Sequence, residues 1–298
     1  PHLAACIDRA HTTAIIAASP RMLKDALLGT PPDFTEGDLR RGIVLLAIPM
    51  ILEMAMESLF GIVDVFFVSR LGADAVATVG LTESLLTVIF GVAIGLSMST
   101  TAFVARRIGE KDPEGAADSA VQSILLGLLF SAVVAAVAIT QAPALLRLMG
   151  ATPAVEGNAR YTQVLLGGSA SIFLLFLINA IFRGAGDATL AMRTLWIANG
   201  INIILDPCLI NGWGPFPRLG VLGAAVATTA GRSIGVLFQL WQLHSGKHRI
   251  VVERRHLHLN LPVLWKLLKV SLTGILQFLV VTCSYLGLVR IVSSFGST

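Results

Sequence analysis

IVLLAIPMILEMAMESLFGIVDVFFV, residues 43–68, decides the fold. The run is apolar except for Ser58 and three carboxylates, Glu53, Glu57 and Asp64, and it contains one proline, Pro49. A bilayer core about 30 Å thick is crossed by about 20 residues of helix rising about 1.5 Å each. The run is long enough for that and too long for a barrel strand, and an isolated strand would leave its backbone unpaired in lipid. It is therefore read as a membrane-spanning helix. Six further runs meet the same length, at 75–105, 120–140, 161–182, 190–210, 221–243 and 262–289. Short polar or Gly/Pro-rich connectors at 106–118, 211–220 and 245–260 separate some of them.

Composition points the same way. Hydrophobic residues make up 55% of the chain and charged residues 13%, against about 25% charged in a soluble domain. Mean hydropathy is +0.79. So little polar surface implies that lipid covers much of the protein. Cys6, Cys208 and Cys283 are unclustered and lack metal-ligand spacing. The net charge of +4 resides in short loops between spans, where it is an orientation signal and not a nucleic-acid surface.

Lys and Arg are unevenly distributed among the connectors. Arg40 and Arg41 precede the first span, and Arg106, Arg107 and Lys111 follow the second. Arg183 and Arg193 flank the connector after the fourth, and Lys247, Arg249, Arg254, Arg255, Lys266 and Lys269 surround the sixth connector. Alternate connectors carry only Arg70, then Arg147 and Arg160, then Arg218. The positive-inside rule puts the N-terminal side in the cytoplasm. Residues 1–42 read as a partly amphipathic cytoplasmic leader with no cleavable apolar core, and both ends of the chain read as clipped.

Ionisable groups inside a bilayer are functional-site hypotheses by default. Glu53, Glu57 and Asp64 fall on one helical face, and so do Asn199, Asn202 and Asp206 of the fifth span. Asp64 and Asp206 each lie about one turn from the outer end of their span. Tyr161 begins the fourth span at that level, and Thr228 and Thr229 lie about two turns into the sixth. Two carboxylates, an amide, a phenol and a hydroxyl thus share one depth. Hard oxygen ligands suit Na⁺, and paired desolvated carboxylates suit proton uptake. Two blander readings stand beside this: carboxylates near a span end can snorkel to the interface, and Asn and Thr can bond neighbouring helices. Glu83 and Arg232 read as a structural ion pair.

Pro49 and Pro207 remove helix-ladder donors and read as hinges, Pro207 freeing a carbonyl beside Asp206. Prolines are also tolerated in membrane helices without such a role. No phosphate-binding lysine loop is present, nor a His-Glu-x-x-His or Gly-x-Ser-x-Gly motif. ATP-driven transport and intramembrane enzyme chemistry therefore lack their residues, and no catalytic residue is assigned.

From Leu46 onward the sequence resembles the multidrug and toxic compound extrusion (MATE) family. The resemblance is carried by Leu46-Ala47-Ile48-Pro49, by Val63-Asp64-Val65-Phe66-Phe67-Val68-Ser69-Arg70-Leu71-Gly72 and by Ala77-Thr78-Val79-Gly80. Arg107-Ile108-Gly109-Glu110-Lys111-Asp112 and Phe182-Arg183-Gly184-Ala185-Gly186-Asp187 follow. The most specific block is Asn202-Ile203-Ile204-Leu205-Asp206-Pro207, then Leu219-Gly220-Val221-Leu222-Gly223-Ala224-Ala225-Val226-Ala227-Thr228. Order and spacing make the blocks strong together.

The resemblance implies an all-α bundle with two six-helix lobes working by alternating access. This chain would supply the first lobe (43–243), a basic inter-lobe loop (244–261) and the seventh helix (262–298), the second lobe lying in the same full-length chain. It implies export of small organic, often cationic, compounds across the bacterial cytoplasmic membrane in exchange for Na⁺ or H⁺, with no other cofactor. The cation site would be Asp64, Asn202 and Asp206, with Thr228 and Tyr161 beside it, and Glu53, Glu57 and Asn199 would line the substrate lumen. Val65 stands where a Thr is usual, and Glu53 and Glu57 where neutral residues are commoner. The seventh span would have nothing to pack against. The alternatives are a lipid-linked oligosaccharide flippase of the same superfamily, whose lumen should be cationic, and a structural membrane subunit.

Overall fold

Each apolar run satisfies its own backbone hydrogen bonds as a helix, the arrangement lipid demands of a single segment. A computed structural model describes residue 27, residues 39–246 and residues 249–294, so the leader expected over residues 1–42 lies almost wholly outside the described residues. Among them no strand occurs. The long helices are α1 (Leu39–Ser69), α2 (Ala73–Gly109) and α3 (Pro113–Leu148). A short α4 (Pro153–Glu156) precedes α5 (Ala159–Gly167) and α6 (Ser169–Gly184), and α7 (Ala188–Asn211), α8 (Val221–His244) and α9 (Leu261–Ser294) complete the set. Among the described residues, seven segments are long and apolar enough to cross a bilayer, α5 and α6 together making the fourth.

The boundaries follow local chemistry. The third helix extends well past the expected 120–140 because Asp112 accepts a hydrogen bond from Gly115 N at 2.9 Å, with Pro113 in the first turn. The connector expected at 106–118 accordingly shrinks to residues 110–112, turned by Lys111 at φ 57°. The fourth span, expected as one helix, breaks at Gly168. A Cβ there would sit 2.6 Å from Thr229 Cγ2, so the break lets α8 approach. Pro49 and Pro207 lie inside helices that continue through them.

Helices in lipid gain little from hiding apolar surface and associate instead through close packing and polar contacts. Both are present. The α8 stripe Gly223, Ala227, Gly231 and Gly235 lies against α7, where a Cβ on Gly231 would meet Ala198 O at 2.6 Å. Thr82 and Thr162 hydroxyls bond at 2.8 Å between α2 and α5. Gln239 Nε2 of α8 donates to Asn179 Oδ1 of α6 at 2.6 Å. The fourth span is the hub: 67% of its apolar window is buried, against 11% for the first span and 22% for the seventh. Helices α2, α3 and α8 pack around it, while α1 leans chiefly on α7.

Contrary to expectation, α9 does have a packing partner. It docks along α2 over Gly91, Gly95 and Ser99, a small-residue stripe at four-residue spacing. A Cβ on Gly95 would lie 2.6 Å from Ile275 N, and one on Gly274 would lie 3.1 Å from Gly95 Cα. Ser99 and Ser271 hydroxyls bond at 2.5 Å one turn away. These small residues create the groove that seats α9.

Candidate cation site and charged cavity

Asp64 lies five residues before the end of α1, and Asp206 five before the end of α7. The two helices run side by side, laced by Trp196 Nε1 donating to Leu52 O at 3.3 Å and Asn199 Nδ2 donating to Glu57 Oε2 at 2.8 Å. The carboxylates therefore arrive at one level, within electrostatic range of each other. Asp206 is fully buried and Asp64 nearly so. The small-residue stripe of α8 brings Thr228 to the same place, where its hydroxyl accepts from Asn202 Nδ2 at 3.0 Å.

Both Asp206 carboxylate oxygens, Asp64 Oδ1 and Asn202 Oδ1 are buried with no hydrogen-bond partner in the protein. Buried polar atoms are almost always paired, and unpaired ones ask for a partner. These four orphaned oxygens belong to three side chains of the neighbouring helices α1 and α7, and hard oxygens of this kind are what a small cation or a proton binds. No cluster of three or more His, Cys, Asp or Glu side chains of metal-site geometry occurs among the described residues. Tyr161 is buried in the core of the fourth span, within electrostatic range of Asp64 and Asp206.

Farther along α1, Glu53, Glu57, Asn179, Arg183, Asn199 and Arg232 line a cavity of about 150 Å³. The sequence reading gave this region an acidic character from Glu53 and Glu57, but the cavity is of mixed charge. Arg183 Nη1 donates to Glu53 Oε1 at 2.9 Å, with the side chains 21% and 13% exposed. Glu83 and Arg232 make no direct ion pair, but they lie within electrostatic range of each other and of Asp64. Glu83 is exposed on α2, while the Arg232 guanidinium lies 5.8 Å from the Phe90 ring centre and borders the cavity. Arg183 was read only as a topology signal at a span end. What could have found it is the carboxylate of Glu53 deep in the first span, which needed a cation within side-chain reach.

Removing one partner of such a pair leaves a buried charge alone, whereas replacing both is tolerated. Arg183→Gln is expected to lower unfolding stability in detergent by about 2 kcal/mol, and Arg183→Met combined with Glu53→Met to recover most of it. Equal losses in the single and double variants would mean that the pair is not what holds this end of α1.

Buried, unpartnered oxygens and a charged cavity, both inside a bundle of apolar helices long enough to span a bilayer, define a polytopic helical membrane protein with polar groups in its interior. Comparison with known proteins agrees. The family model described as MatE matches residues 49–208, and the chain belongs to that family. It is 28% identical over 263 residues to the "Probable multidrug resistance protein YoeA" of Bacillus subtilis, covering 86% of this chain and 57% of that protein. To the "Probable multidrug resistance protein NorM" of Thermotoga maritima it is 31% identical over 203 residues, 66% of this chain and 43% of the relative. A solved structure described as the outward-facing conformation of a multidrug resistance MATE family transporter superposes with a TM-score of 0.77 at 33% identity, over 85% of this chain and 55% of that one. That of a MOP superfamily transporter from Pyrococcus furiosus gives 0.75 at 34%, over 82% and 54%. The chain spans about half the length of the curated relatives it matches.

Proposed function

We propose that this chain is the first lobe and seventh helix of a secondary active efflux transporter that expels small organic compounds, chiefly cationic, in exchange for Na⁺ or H⁺. The observation that carries the reading is the set of orphaned, buried oxygens on Asp64, Asn202 and Asp206. Asp64, Asn202, Asp206 and Thr228 would hold the ion, Tyr161 would wall the site, and Glu53, Glu57 and Asn199 would face substrate. The protein would sit in a bacterial cytoplasmic membrane with its N-terminal side inside, and a second lobe in the same full-length chain would complete the transport path.

The coupling has a physical route. α1 carries Asp64 of the ion site and, about 10 and 16 Å along the same rod, Glu57 and Glu53 of the cavity. α7 likewise carries both Asp206 and Asn199. An ion bound between Asp64 and Asp206 replaces repulsion by mutual attraction and draws α1 onto α7. Because α1 leans chiefly on α7, that shift is cheap, and Pro49, which lacks a ladder donor, would let the inner part bend. Each occupant then biases one arrangement of a shared helix pair, and the bias is reciprocal.

Arg183 and Arg232 in the cavity favour one second reading, a flippase for an anionic lipid-linked sugar. Reconstitution of the full-length protein in liposomes separates the two. Under an imposed Na⁺ or H⁺ gradient, a cationic dye is expected to move against its own gradient, while residues 1–298 alone insert without driving transport. No dye movement under either gradient, with movement of a lipid-linked sugar, would overturn the efflux reading in favour of the flippase.

A further inference from the structure

Away from Asp64, Asp206 and the charged cavity, a second and larger cavity of about 410 Å³ lies between α3 and α8, beside the connector that follows α8. Both helices pack on α6, and the gap between them is walled by aliphatic side chains, Val121, Leu125 and Leu128 from α3 and Leu240 from α8. Its base is the connector that follows α8, through Val252 and Leu257. That connector is strapped to α3: Gln122 Nε2 donates to His258 O at 2.7 Å and Gln122 Oε1 accepts from Asn260 N at 3.1 Å. His256 Nδ1 accepts from Glu253 N at 3.1 Å, so a neutral His256 carries its proton on Nε2 and donates it to Glu114 Oε2 at 2.7 Å. The base of the cavity is thus a fixed wall and not a loose loop.

Leu128, Leu240 and Leu257 are exposed at the mouth, so the cavity opens sideways, toward what surrounds the bundle. Among the described residues, the polar groups lining it are His244 and Glu253, and Glu253 is already paired with Arg255 at 3.0 Å. Transported organic ions would find no free counter-charge there. Trp241 and Trp265, both exposed, stand at the ends of α8 and α9 on this side, as aromatic residues do at a headgroup boundary. The connector carries Lys247, Arg249, Arg254 and Arg255. Arg255 is held by Glu253 and by Glu114 of α3 at 2.7 Å, so these two acids offset only part of the positive charge, and Lys266 and Lys269 are exposed just beyond the connector.

We infer that this cavity is a docking site for an anionic phospholipid, one acyl chain lying between α3 and α8 and the headgroup against the basic connector. An aliphatic cleft that opens to the membrane fills with hydrocarbon, and cations at the interface select the headgroup by charge. The connector joins this lobe to whatever follows α9, so a lipid held there would stiffen the joint. The inference needs only that the chain spans a bilayer, and it stands or falls apart from the transport reading.

The test uses the whole chain in phosphatidylcholine vesicles doped with phosphatidylglycerol bearing a photoreactive group midway along one acyl chain, or with phosphatidylcholine bearing the same group. Labelled peptides are then mapped. Phosphatidylglycerol is expected to label residues 121–128 and 240–257 about fivefold more than phosphatidylcholine, the preference about one nearby cation provides. Leu125→Trp, which fills the cavity, should remove that labelling while the lipid-facing segment around Leu272 and Leu276 stays labelled. If Leu125→Trp fails to fold, Leu128→Trp at the mouth serves in its place. Equal labelling by both lipids, labelling that survives the tryptophan, or an unlabelled cavity filled by a protein segment would each overturn the inference.

Discussion

Asp206→Asn, and separately Asp64→Asn, is expected to cut gradient-driven efflux by the full-length transporter at least about tenfold, a loss of about 1.4 kcal/mol or more in ion coupling. Each substitution keeps the shape of the side chain and removes the charge that would hold the ion. Asp206 is the more severe case, because both of its oxygens are orphaned while Asp64 has one orphaned oxygen. A fully buried carboxylate without a protein partner is a cost to the fold, and a neutral amide costs less there. Asp206→Asn should therefore melt no lower than the parent in detergent, and about 1 kcal/mol of added stability is the expected gain. Activity lost while stability is kept or gained marks a group retained for function. Dye efflux from liposomes at matched insertion, with a thermal melt of the same preparations, reads both quantities. Parental efflux in both variants would remove the ion-site reading.

Gly95→Leu should dislodge the seventh spanning helix. The two backbones approach so closely that any Cβ on Gly95 meets Ile275 N at 2.6 Å, and main chain cannot step aside as a side chain can. Overpacking of this kind costs about 3 kcal/mol. Here it would also pull apart the Ser99–Ser271 hydrogen bond and the seat of Phe278, whose ring is 2.5 Å from where a Gly91 Cβ would stand. The same change at Gly80, on the same helix with nothing within 4 Å of its Cβ position, should cost less than about 0.5 kcal/mol. Protease accessibility of the connector between α8 and α9, measured with the melting temperature, distinguishes the two. If Gly95→Leu and Gly80→Leu melt alike, α9 does not depend on this groove.

Much of the site was legible because helical rise is fixed. Once residues 43–68 and 190–210 are helices crossing in the same direction, Asp64 and Asp206 must lie at similar depth whatever packs around them, and Glu57 and Asn199 fall on the same faces as those aspartates. Other placements were not legible. Arg183 and Glu53 are 130 positions apart, and no local pattern joins them. Arg232 matched Glu83 by depth and by charge and lies within electrostatic range of it, yet it makes no direct contact with Glu83 and borders the cavity. Gly168 looked like any other glycine in an apolar run until Thr229 was found in the space its side chain would need.

The sequence alone determined that the backbone crosses the membrane as helices and that carboxylates are carried inside it, because bilayer thickness, backbone hydrogen bonding and 1.5 Å of rise leave few options. Only the tertiary structure decided which charges meet and how α9 seats on α2. It also decided that Asp206, Asp64 and Asn202 would keep oxygens with no partner. Those outcomes depend on which face each helix turns to its neighbour. In lipid that rotation is set by a few small residues and polar contacts distributed over distant spans, and not by the apolar pattern that marks the spans themselves.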